Sequence, residues 1–65
     1  MTKKFTVFVV YEDDSEFSFD VELCGTPSEI DSELMMITRG TLMASVGIKA
    51  SAYNEDGFDV CSYVR

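Results

Sequence analysis

The hydrophobic period of this chain changes twice, from two to about 3.6 and back to two. That pattern restricts it to a small fold with a helix set between strands. From Glu16 onward, Phe17, Phe19, Val21 and Leu23 fall on one side, and Ser18, Asp20, Glu22 and Cys24 on the other. This is the alternation of a half-buried strand. Residues 4–11 precede it, rich in β-branched and aromatic side chains. Phe5, Val7, Val9 and Tyr11 share one face of that segment and Thr6, Phe8 and Val10 the other, so both faces are largely apolar and an inner strand is expected. The polar turn Glu12-Asp13-Asp14-Ser15 joins the two into a hairpin.

Gly25 closes the second strand, and Thr26-Pro27-Ser28-Glu29 is a helix start. Thr26 is placed to cap, Pro27 occupies the first helical position, and Glu29 completes a capping box. Ile30, Leu34 and Ile37 form the apolar stripe, with Met35 or Met36 at its border. Arg39-Gly40 has the form of a last-turn cation followed by a terminating glycine. Beyond it, Leu42, Ala44, Val46, Ile48, Ala50 and Ala52 alternate with mostly polar residues, which predicts a strand over 41–53. The competing reading runs the helix on to Ala44 and keeps Gly40 inside it. Asn54-Glu55-Asp56-Gly57 is a turn. In a final strand Phe58, Val60, Ser62 and Val64 alternate with Asp59, Cys61 and Tyr63. The order ββαββ makes this an α+β chain of one domain, residues 1–65, with a four-stranded antiparallel sheet and one helix packed on one face. The expected core is Phe5, Val7, Val9, Phe17, Phe19, Val21, Leu23, Ile30, Leu34, Ile37, Val46, Ile48, Phe58 and Val60.

Charge limits what such a domain can do. Twelve acidic residues stand against five basic ones, a net charge of −7. That field repels nucleic acid and anionic membranes, attracts basic protein surfaces, and also serves solubility. The five cations, Lys3, Lys4, Arg39, Lys49 and Arg65, are scattered, so no direct nucleic-acid contact is expected. With no histidine and only two cysteines, a four-ligand zinc site is excluded. The acidic turns do not match a calcium loop, and neither Cys24 nor Cys61 has a histidine to activate it. The expectation is a binding protein with no cofactor and no catalysis. The start of the chain has no apolar leader and no run suits a membrane span, so a cytosolic protein with reduced thiols is expected. By alternation both cysteines fall on the sheet face away from the helix, as inert thiols, or as a redox pair if their strands are neighbours.

That uncovered face is the main candidate site. It is expected to present Thr6, Phe8, Val10, Met43, Lys49, Tyr53, Cys61 and Tyr63, flanked by Asp20 and Glu22. Aromatics ringed by acids suit a protein interface. Phe8, Val10, Tyr53 and Tyr63 are the expected anchors, and Glu12, Asp13, Asp14, Glu55 and Asp56 in the two turns the steering charges. The same patch could instead build a homodimer. A second candidate is the outer helix face, where Glu29, Asp31 and Glu33 could imitate a row of phosphates.

Val7-Phe8, Asp14-Ser15-Glu16-Phe17, Val60-Cys61 and Arg65, with one helix between the hairpins, resemble the Dmd antitoxins of T-even bacteriophages. Lys3-Lys4-Phe5, Ser18-Phe19-Asp20-Val21 and Gly57-Phe58-Asp59-Val60 are similar to strings in the short RNA polymerase inhibitors of T7-like phages, with a longer gap between the second and third. Both resemblances imply a phage inhibitor of a nucleic-acid-handling enzyme, working in the host cytosol on a basic-surfaced host or defence protein. Neither assigns a role to a particular residue.

Overall fold

A computed structural model describes all residues 1–65. The chain forms β1 (Thr2–Val10), β2 (Glu16–Cys24), α1 (Pro27–Ala44), β3 (Lys49–Asn54) and β4 (Asp59–Val64). The strands make one antiparallel sheet in the order β2-β1-β3-β4, with α1 across one face. β1 is therefore an inner strand, as its two apolar faces require. Val7 pairs with Phe19 on one side and Ala52 on the other.

The core lies between sheet and helix. Phe5, Val7, Leu23 and Ala52 pack with Ile30 and Leu34, and Val9 and Ala50 pack with Leu42. The start of α1 is set by the capping box. The Thr26 N–H donates to Glu29 Oε1 at 3.0 Å and the Glu29 N–H donates to Thr26 Oγ1 at 3.2 Å, with Pro27 directly after the cap. These bonds, first of all that from the Thr26 backbone, hold the Glu29 carboxyl below its usual range. A carboxylate with a lowered folded-state pKa stabilises the fold above its unfolded pKa, and that contribution is lost as pH falls through the lowered value. A Glu29→Gln variant is therefore expected to melt below the parent at neutral pH. The gap should close as acid protonates Glu29, and thermal melts between neutral pH and the acid side of the carboxylate range check it.

The helix does not stop at Gly40. It continues to Ala44, and the strand expected over 41–53 is present only as β3. The reason is the stripe Ile30, Leu34, Thr38, Leu42, each four residues on and each buried. Gly40 costs about 1 kcal/mol against alanine in a helix interior. Burying Leu42, which is 3% exposed, is worth roughly 1.5–3 kcal/mol and outweighs it. Thr38 keeps its place in the stripe because its hydroxyl donates to Leu34 O at 2.8 Å. The cation at the end of the helix is supplied from elsewhere: Arg65 Nη2 donates to Leu42 O, and to Ser45 O at 3.0 Å. Arg39 lies exposed in the body of α1.

The core is accordingly smaller than expected. Phe17, Val46, Ile48, Phe58 and Val60 are exposed, Phe19, Val21 and Ile37 are partly buried, and Leu42, Ala50 and Ala52 take the vacated roles. A single helix over four strands leaves the outer end of β2 uncovered, and with it Phe17.

Candidate functional site

The open sheet face is built by register. Phe8 lies between Ser18 and Ser51, Thr6 between Asp20 and Tyr53, and Val10 between Glu16 and Lys49. On one face of a sheet such neighbours stand about 5 Å apart, so their side chains meet. The Phe8 and Tyr53 rings meet edge-to-face, with centroids 5.5 Å apart and planes at 86°. They floor a shallow depression of about 520 Å³ whose rim includes Val10, Lys49, Glu16 and Glu55. Thr6 Oγ1 donates to Asp20 Oδ1 at 2.9 Å and fixes that carboxylate beside the aromatics. Glu22 follows it on β2, opposite Lys4. Phe8, Val10, Tyr53, Asp20 and Glu22 thus stand together as expected.

Tyr63 does not join them. It pairs with Ala50 and packs on the helix side against the Val9, Leu42 and Ala50 cluster. Cys61 pairs with Ala52 on that same side, its Sγ 3.7 Å from Thr38 Oγ1. Met43 is on the helix. The error in phase has one cause. A register shift between Ala52 and Tyr53 sets Tyr53 opposite Asp59, so Val60 is the extra residue in β4. Val60 and Cys61 then both line the cleft beside Asp31, Leu34 and Met35. Cys24 is on the open face, its Sγ 3.3 Å from Thr2 Oγ1. It lies on the opposite edge strand and the opposite face from Cys61, so the two cannot form a bond within the chain.

The acidic turns are ordered and stand at opposite ends of the sheet. The first follows Val10, and the second follows Asn54, which pairs with Phe5 at the other end of β1. The long dimension of the molecule is 37 Å. In the first turn, Asp13 Oδ1 accepts from the Ser15 backbone at 3.0 Å and from the Ser15 hydroxyl. These bonds, the side-chain one foremost, hold its carboxyl below the usual range and keep it ionised. Asp14 adopts the left-handed region at φ 66°, which Asp tolerates better than most residues. In the second turn, Asn54 Oδ1 accepts from the Asp56 and Phe58 N–H groups, both at 3.0 Å. Glu12, Asp13, Asp14, Glu55 and Asp56 are thereby placed at the two ends of the sheet and do not form one cluster; of the five, Glu55 lines the open-face depression, whereas Glu12 and Asp13 lie beside Tyr11 and Val46.

The row expected on the helix does not form. Residues two apart on a helix point about 200° apart. Glu29 is engaged in the cap, and Asp31 lines a depression with Glu55, Asp56, Lys3 and Lys4. Lys49 stands on the open face as expected, and Glu16 belongs to the site although it was not expected there. Glu16 has the phase of Ser18, Asp20 and Glu22, so the alternation of β2 already carried that signal. No helix is long and apolar enough to cross a membrane, and no group of His, Cys, Asp and Glu side chains is arranged to hold a metal ion.

No protein-family model, curated protein or solved structure matches the chain.

Proposed function

We propose that the chain is a small acidic inhibitor of phage type that binds and blocks a host or defence protein acting on nucleic acid, such as a toxin nuclease, a polymerase or a CRISPR effector. The observation that carries this reading is the Phe8–Tyr53 pair on an uncovered sheet face with carboxylates at both ends. The aromatics are anchors of the kind that concentrate binding energy at the centre of an interface. Acidic turns at both ends of the sheet match an elongated basic groove, where nucleic acid would otherwise lie. The excess charge of −7 draws such a groove in and keeps nucleic acid out.

The test is capture from a nuclease-treated bacterial lysate at low salt, then assay of the captured protein. The supporting result is a nucleic-acid enzyme released at high salt and silenced at equimolar inhibitor. A captured partner whose activity is untouched overturns the reading, and a stable homodimer with no partner returns the structural alternative. Against the captured target, reversing Glu12, Glu55 and Asp56 to lysine takes the net charge from −7 by +6 to −1. Asp13 is left alone because it holds the turn. Association at low salt is expected to slow by roughly tenfold or more, with a flatter salt dependence. Stopped-flow association rates at two ionic strengths check it, and an unchanged rate removes the steering role.

A further inference from the structure

The outer edge of β2 is unpaired along nine residues. β1 occupies one side of the strand and no element occupies the other. About half of the backbone N–H and C=O groups of such an edge strand point outward and are free to pair with another extended chain. β4 is the other edge and is a poorer template. It is six residues long, is interrupted by the register shift at Ala52/Tyr53, and ties its Ser62 hydroxyl to Asp59 at 2.8 Å. β2 pairs with β1 without interruption from Glu16 to Cys24.

The two faces of β2 specify different chemistry. On the open side stand Glu16, Ser18, Asp20 and Glu22; on the helix side stand Phe17, Phe19 and Val21. Phe17 is 54% exposed and lies against Phe19, with ring centroids 5.9 Å apart. Edge carboxylates at alternate positions oppose pairing with a second copy, which would bring the same acids together in two chains each at −7.

From this we infer that the free edge of β2 takes up an extended peptide segment of a partner in which Lys or Arg alternates with apolar residues. The added strand sets its cations beside Glu16, Asp20 and Glu22 and continues the row of Phe17, Phe19 and Val21 with its apolar side chains. Backbone bonds supply the pairing, and the alternate side chains supply selectivity. The inference shares Glu16, Asp20 and Glu22 with the open-face site but does not use its anchors Phe8 and Tyr53 or the presence of an inhibited enzyme, so substitutions at the two rings tell the readings apart.

The probe is a synthetic peptide alternating Lys and Val over the nine-residue length of β2. Its controls are the same peptide N-methylated at alternate residues, and one with Glu in place of Lys. Affinity is read by calorimetry and the site by amide exchange. The expected result is binding of the Lys/Val peptide with new protection confined to residues 16–24, and none for either control. Glu16→Lys with Glu22→Lys is expected to weaken it by roughly tenfold or more. Phe8→Ala leaves it unchanged. Equal binding of the N-methylated peptide, protection at β4 or at Phe8 and Tyr53 instead, or no binding at all overturns the inference. Residues 16–24 already protected by a second copy of the chain, in the absence of peptide, overturn it as well.

Discussion

Alanine at Gly47 is expected to destabilise the fold and alanine at Gly40 to stabilise it, opposite outcomes from one substitution at two glycines seven residues apart. At Gly47 an added Cβ would collide with Val9 Cγ1, and would stand 3.1 Å from Ser45 Oγ and 3.3 Å from Val10 O. Val9 has no room to retreat. It is fully buried, against Leu42 and Ala50, and the next residue, Ile48, is tied to the same strand by its N–H to Val10 O at 2.8 Å. Overpacking of this kind costs about 1–3 kcal/mol. A domain of this size has only about 3–5 kcal/mol to lose, so Gly47→Ala is expected to leave a large unfolded fraction near body temperature. At Gly40 nothing lies within 4 Å of an added Cβ, and the residue sits inside an intact helix. There alanine gains about 1 kcal/mol of helix propensity, which for a domain this small raises Tm by about 4–8 °C. Thermal melts of the two variants read both effects. A destabilised Gly40→Ala would mean that the helix ends where its sequence suggests, and an unaffected Gly47→Ala would mean that the 45–48 segment does not pack on β1.

Replacing Phe8 or Tyr53 with alanine is expected to weaken binding to the proposed target by roughly 30-fold each, the effect of losing a central aromatic anchor worth about 2 kcal/mol. The two rings touch edge-to-face, and such pairs add about 0.5–1.5 kcal/mol beyond the area they bury. The double variant is therefore expected to lose less than the product of the two single losses. Tyr63→Ala supplies the contrast. That ring packs on the helix side, so its loss should lower Tm while sparing affinity in whatever fraction remains folded. Calorimetric titration paired with thermal melts separates the two outcomes. Full affinity in the Phe8, Tyr53 double variant would move the interface elsewhere on the molecule.

Much of this was legible in the residues because it is local. The alternation of β1 and β2, the hairpin turn between them and the capping box at Thr26 each depend on side chains within a few positions of one another, and all are present as read. Phe8, Val10 and Tyr53 were placed on the open face by period alone, and their strands hold that phase. Three matters turned on contacts between distant segments. Whether α1 passed Gly40 was decided by the pocket that Val9 and Ala50 offer Leu42, and by an arginine 23 residues further on that reaches Leu42 O. Local propensity at an Arg-Gly pair has no access to either. The side on which Tyr63 and Cys61 fall was decided by one register shift opposite Tyr53, because with a period of two a single extra residue exchanges the faces of everything beyond it. The placing of the two acidic turns at opposite ends of the sheet followed from β3 pairing with β1 and not with β2, a choice of strand order that no stretch of this sequence encodes by itself. The sequence thus determined the elements and their charge, through neighbours along the chain. Only the tertiary structure decided where the helix ended and which side chains share a face, because those depend on burial and register between segments far apart in sequence.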